Sequence, residues 1–262
     1  MIFDFKANRY IAILGMLGLG ATLFGVMSVV NNPLIILIIT FIYVFMLGRL
    51  MKHVAILGYR SIHQRLFVYA DAKGYLEAII ELYNRTPRRK DIDGIKLQNL
   101  IMAYIFAGDF EHARVYLAQF KDEYPTQLEN NQQVQFSYGL LETLISLFDF
   151  DKETLIANYE KIDGLLNEMP PQQVAHVREN PYSVFYMITE LKKLISEQKK
   201  VTASKVESLM KKDNPFLNAS ILYVVITHGF VEASELSFYQ PEMLNTMFFA
   251  TRTEKETVEI SE

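Results

Sequence analysis

Residues 107–125 read AGDFEHARVYLAQFKDEYP. Gly108-Asp109 marks a turn, Phe110 stands two residues past the Gly, Ala113 three further on, and Pro125 closes the stretch. Gly is suited to ending a helix, an aromatic packs across the turn, and a small Ala lets the second helix lie close to the first. Outward from the turn, Leu97, Leu100, Ile101 and Tyr104 recur at helical spacing on one side, and Val115, Tyr116, Leu117 and Phe120 on the other. This pattern predicts a helix–turn–helix unit.

The signal returns elsewhere. Gly74-Tyr75-Leu76-Glu77-Ala78 and Gly229-Phe230-Val231-Glu232-Ala233 echo Gly108-Asp109-Phe110-Glu111-His112-Ala113, which is one residue longer in its turn. Ala78 and Ala113 are 35 residues apart, the scale of a stacked helical repeat. From Arg60 to about Phe249 no strand pattern appears. Thr86-Pro87, Tyr124-Pro125, Pro170-Pro171, Asn180-Pro181 and Asn214-Pro215 each read as the end of one helix or the start of the next. A third helical pair is expected over Gln132–Phe148 and Lys152–Met169, followed by helices at 172–178, 181–199, 204–212, 215–228 and 231–239. Helices joined by brief turns pair antiparallel.

The N-terminal part differs in kind. Residues 11–48 read IAILGMLGLGATLFGVMSVVNNPLIILIITFIYVFMLG, without a charge. Ile11–Val30 supplies 20 residues, about 30 Å of helix and one hydrocarbon core. Asn31-Asn32-Pro33 turns the chain, and a second apolar run ends at Arg49 and Lys52. Both runs predict transmembrane helices, at about 11–30 and 33–52. Gly18, Ala21, Gly25 and Ser28 recur at spacings of three and four and are expected to form the packing face of this hairpin. A cleaved signal peptide is disfavoured, because the apolar run is too long, a second follows at once, and no A-x-A site appears.

Charge is unevenly placed. Residues 1–52 hold Lys6, Arg9, Arg49 and Lys52 against Asp4, a net of +3, which leaves −7 of the overall −4 for the rest. Basic flanks on both sides of the hairpin predict that both termini lie in the cytoplasm. The acidic remainder argues against nucleic-acid binding. With no Cys, disulfides and thiolate chemistry are excluded. The five His are scattered, and no phosphate loop, nucleophile elbow or zinc motif occurs. The Gly-rich run at Gly15–Gly20 follows no strand. The acidic groups Asp149/Asp151 and Glu153/Glu160/Asp163 read as solvated helix faces, and His112 as an exposed side chain. The chain is read as non-enzymatic, with no cofactor and no metal.

The helical units resemble the tetratricopeptide-repeat family. The best unit, 94–125, carries Leu97, Leu100, Tyr104, Gly108, Phe110, Ala113, Leu117, Phe120 and Pro125. A weaker one at about 59–87 carries Leu66, Tyr69, Gly74, Tyr75, Ala78, Leu82 and Pro87, and a third is possible near 214–241. The departures are the absence of Trp, the replacement of the usual small first-helix residue by Leu66 and Ile101, and the lack of a clean repeat over 130–213. A generic helical bundle is the competing architecture.

The expected organisation is therefore all-α. A membrane anchor occupies 1–58, a cytosolic α-solenoid of tetratricopeptide type 59–250, and a disordered polar tail 251–262. The resemblance implies a concave groove that binds a partner protein or peptide, with Phe67, Gln98, Met102, Ile105 and Phe106 as its face. The competing reading buries both faces of the first helix as core. Arg85, Arg88, Arg89 and Lys90 are candidates for lipid-headgroup contact, against a solvated loop. The expected function is a membrane-tethered scaffold whose partners are the bilayer and another protein. The alternative is an accessory membrane subunit in which the hairpin is the functional part.

The topology is directly testable, because the chain has no Cys. Asn31→Cys is expected to react with an impermeant thiol reagent from the outside only, and Thr251→Cys from the cytoplasmic side only. The reverse pattern refutes the orientation.

Overall fold

The computed structural model describes residues 6–30, 32–86, 90–180, 183–196, 201–210, 213–236 and 247–250. Among the described residues the chain is all helical, with no strand. Helix starts follow the Pro signals. Asn32 caps α2 (Pro33–Phe67) by accepting from Leu34 N–H at 3.0 Å, with Pro at the first turn. Asn214 caps α12 (Pro215–Thr227) in the same way, accepting from Leu217 N–H at 3.0 Å.

The first helix, α1 (Lys6–Met27), lies against α2 as a hairpin. Both are long and apolar enough to cross a membrane. Their outer surface is apolar and open, with Phe24 80 % and Phe41 72 % exposed. The contact face is not the expected one. Gly15 and Gly18 meet α2: a Cβ at Gly15 would sit 2.5 Å from Leu47 Cδ1, and one at Gly18 2.5 Å from Tyr43 Oη. The Tyr43 hydroxyl donates to the Gly15 carbonyl at 3.1 Å. Of the expected stripe only Gly18 faces the partner helix. Ala21, Gly25 and Ser28 are exposed, and Gly25 has nothing within 4 Å of its added Cβ. The reason is that bulky Tyr43 and Leu47 need space, and only the Gly15–Gly18 row gives it.

At 35 residues α2 outruns the 22 of α1. It continues through the expected domain boundary at 58 and packs on α3 (Ala72–Arg85) and α12. Three helical pairs follow one another. They are the far end of α2 with α3, then α4 (Lys90–Ala107) with α5 (Phe110–Glu123), then α7 (Gln132–Phe148) with α8 (Lys152–Asn167). The short α6 (Pro125–Asn130) bridges the last two pairs.

The turn inside each pair is built alike. A left-handed residue, Ala70 (φ 53°), Gly108 (φ 84°) or Phe150 (φ 61°), is followed by an Asp. Asp71, Asp109 and Asp151 accept from the N–H groups of Gly74, His112 and Thr154 at 2.8, 3.1 and 3.1 Å. The hydrogen bonds with Thr154 hold the Asp151 carboxyl below its ordinary range. Four residues after each Asp stand Tyr75, Ala113 and Leu155, and eleven after stand Leu82, Phe120 and Ile162, all buried. The Asp residues lie 38 and 42 apart, so the interval differs from the expected 35. Gly74 is inside α3, and its expected equivalence with Gly108 is displaced by about one helical turn.

The C-terminal helices are α9 (Pro171–Glu179), α10 (Val184–Ser196), α11 (Ala203–Leu209) and α12. Gly229 (φ 68°) repeats the left-handed exit, but the helix expected at 231–239 does not follow. Glu232 is extended, a 3₁₀ turn covers Ala233–Glu235, and Val201 N–H donates to the Phe230 carbonyl at 3.2 Å. Residues 237–239 lie outside the described residues, as does the tail at 251–262. All of Phe216, Leu217 and Ala219–Val225 are buried, so α12 is enclosed on every side.

Ala70 carries a Cβ in a conformation that costs an L-residue about 1–2 kcal/mol, and glycine avoids that cost. Ala70→Gly is expected to raise the unfolding free energy of the full chain in detergent by roughly 0.5–1 kcal/mol, read by thermal unfolding. A lowered Tm refutes strain at this turn.

Candidate partner-binding surfaces

The three first helices end in aromatic rings. Phe67 closes α2, Phe106 is the penultimate residue of α4, and Phe148 closes α7. All three turn toward α12. Ring centroids are 5.0 Å apart for Phe67–Phe216, 4.8 Å for Phe106–Phe216 and 5.9 Å for Phe148–Tyr223. The rings interlock edge to face, a favoured aromatic geometry.

This seam corrects the expected groove. Ile105 and Phe106 are fully buried, and Phe67 and Met102 are half-buried against the same core. Gln98 alone of the five is a half-exposed polar residue. The concavity they were expected to line is filled by α12. The physical reason lies in PFLNASILYVVIT itself, a helix apolar on all faces, which must be enclosed.

The basic candidates part company. Arg85 forms an ion pair with Glu81 and lines a polar cavity of about 370 Å³ with Asn84, Asp93, Lys96 and Glu123. Lys96 is buried there, donating to the Thr86 carbonyl at 2.9 Å and to Asp93 Oδ1 at 3.3 Å, with its ammonium 4.9 Å from the Tyr83 ring. Arg88 and Arg89 lie outside the described residues, as does the side chain of Lys90 at the start of α4.

A polar cluster sits where α2 meets α3. Asn99 Nδ2 donates to the Tyr59 hydroxyl at 2.9 Å. His63 packs against Tyr59, Phe67 and Tyr75. Tyr75 Oη and His63 Nε2 are buried without a hydrogen-bond partner among the described residues. Burial pushes the Tyr75 phenol well above its ordinary range, so it stays neutral.

Two open grooves were not anticipated. One, about 430 Å³, runs between α7 and α9 over Phe136, Met169 and Val177, with Gln133, Gln173 and His176 on its rim. The other, also about 430 Å³, lies among α5 to α8 and is lined by Lys121, Gln135, Tyr138, Glu142 and Lys161. Here burial first, and then the Glu142 carboxylate, push the Tyr138 phenol up to about 12, which keeps it a hydrogen-bond donor. Each groove joins residues more than 30 positions apart, so no local motif announces it. The run Pro170-Pro171-Gln172-Gln173 was the nearest sequence signal. Among the acidic candidates Asp149 pairs with Arg114, and Asp163 with Arg178 at 2.6 Å. Among the described residues no three His, Cys, Asp or Glu side chains converge as a metal-holding group.

No protein-family model matches this chain, and neither a curated protein nor a solved structure does. Among the described residues the chain is all-α, with two long apolar N-terminal helices joined to paired helices packed around a buried one.

Truncating a fully buried Phe costs about 3–5 kcal/mol, whereas an exposed polar site changes stability by less than about 0.5 kcal/mol. Phe106→Ala is expected to lower the Tm of the full chain sharply, and Gln98→Ala to leave it unchanged. Equal and small effects would restore the open groove.

Proposed function

We propose that the protein is a membrane-tethered scaffold that holds a partner protein on its paired helices at the cytoplasmic face. The observation that carries this reading is the unbroken α2. One 35-residue helix is both half of the apolar hairpin and the first helix of the first pair. At 1.5 Å per residue it is about 52 Å long, more than a bilayer core requires. The surplus holds the helical pairs at a set distance from the membrane without a flexible linker.

The bilayer receives the open apolar surface of the hairpin, which no other described element covers. Exposed Arg49, Lys52 and Arg60 follow the apolar run and favour the cytoplasmic side. Stacked helix pairs of tetratricopeptide type present large surfaces for other chains. With the first-helix groove filled, the α7–α9 groove is an open, mainly apolar surface that suits a partner.

Site-specific photo-crosslinking in native membranes tests this reading. A benzophenone amino acid at Gln173, on the groove rim, is expected to give a discrete adduct with another protein. The same group at Glu153, on the exposed face of α8, is expected to give none. Absence of an adduct at Gln173, or identical adducts at both positions, overturns the assignment.

A further inference from the structure

We propose that the polar cavity where α3, α4 and α5 come together binds a phosphate ester that carries an ammonium group, the headgroup chemistry of phosphatidylethanolamine. This rests on the membrane placement in the reading above and adds a ligand site that the scaffold role does not require.

The cavity, about 370 Å³, is of small-molecule size and is lined by charges of both signs. Arg85, the last residue of α3, and Lys96, near the start of α4, supply the positive side. The Lys96 side chain is only 4 % exposed, and a buried cation is costly unless its donors are met. Two of its three ammonium hydrogens are engaged, by the Thr86 carbonyl and by Asp93 Oδ1. The third is left for a ligand. Arg85 pairs with Glu81 and keeps further N–H donors on its five-donor fork. Glu123, the last residue of α5, supplies the negative side. Its Oε1 accepts from Gln119 Nε2 at 2.8 Å, and its second oxygen has no partner among the described residues. Arg85 and Lys96 against Asp93 and Glu123 leave the lining neutral in sum. A multiply charged anion would meet two carboxylates there, and a simple cation two basic groups. A ligand with a phosphate and an ammonium satisfies both sides at once.

The cavity also lies at the depth of a headgroup. Along α2, Tyr75 of α3 packs on His63, and Leu82 packs on Tyr59, so α3 runs back toward the hairpin. Asn99 of α4 bonds to the same Tyr59. Arg85 and Lys96 each stand three residues, about 4.5 Å of helix, on the hairpin side of those contacts. Tyr59 is seven residues past Lys52, about 10 Å. Arg85 and Lys96 are therefore level with Ile56 and Leu57, two exposed apolar residues about 6 Å beyond Lys52. A bilayer of about 40–45 Å with a core of about 30 Å has a headgroup layer roughly 5–8 Å deep on each side. With the hydrocarbon edge at Lys52, the cavity falls within that layer. The depth favours a lipid over a soluble ester as the source of the ligand.

Native mass spectrometry of the full chain, released from detergent micelles doped with one lipid at a time, tests this. The parent is expected to retain one phosphatidylethanolamine about tenfold better than phosphatidylcholine, whose ammonium has no N–H to give Glu123, or phosphatidylglycerol, which has no ammonium. Glu123→Gln is expected to abolish that preference, and Arg85→Gln to lower phosphatidylethanolamine retention about tenfold, with the parent's melting transition kept in both. Should Arg85→Gln fail to fold, Glu123→Gln, at an exposed position, decides alone. Isothermal titration with soluble O-phosphoethanolamine separates the two sources. Binding that Glu123→Gln weakens, without any lipid preference, keeps the chemistry and assigns it to a soluble ester. Equal retention of the three lipids together with no binding of O-phosphoethanolamine overturns the proposal. So does a preference unchanged in Glu123→Gln, or a retention unchanged in a folded Arg85→Gln. Lipid retention reports on the cavity and crosslinking at Gln173 on the scaffold reading, so either failure is seen separately.

Discussion

An apolar helix with no polar face has to be enclosed, and α12 imposes that requirement on everything around it. Phe216, Leu217, Ile221, Leu222, Val224 and Val225 point in all directions from its axis, and every one is buried. No single neighbouring helix can cover such a surface. The helical pairs do so together, each offering the aromatic end of its first helix: Phe67, Phe106 and Phe148. An open solenoid keeps this inner face free for another chain. Here the same face is the core.

The same seam links the core to the apolar hairpin. Phe67 is the last residue of α2, and its contact with Phe216 fixes the far end of a helix whose other end is bonded into the hairpin by Tyr43 and Gly15. A continuous helix between two fixed contacts transmits orientation, because bending it requires breaking the hydrogen-bond ladder or inserting a kink-forming residue. Between Pro33 and Phe67 there is no internal Pro.

Much of the fold was legible. Apolar periodicity located the pairs, and Asn-Pro marked helix starts at Pro33 and Pro215 correctly, whereas Pro125, read as closing a unit, opens the short α6. The repeat register was not, for a specific reason. Two of the three left-handed turn residues are Ala70 and Phe150, which carry no glycine signal, so Gly74 was matched with Gly108 instead. That error amounts to about one helical turn, and a shift of one turn leaves the apolar face of a helix in place. The true marker was the Asp that caps each second helix. Site reading failed differently. Helical periodicity shows that Phe106 has an apolar face but cannot say what fills the space before it. The answer lay more than 100 residues away, in α12. In the hairpin, small residues on two faces of α1 looked alike until Tyr43 and Leu47 chose between them.

Magnitudes show how much depends on enclosing α12. Each fully buried large apolar side chain contributes about 1.5–3 kcal/mol. The six named on α12 together reach on the order of 10 kcal/mol, comparable with the whole stability of an ordinary domain. Withdrawal of α12 is therefore equivalent to unfolding.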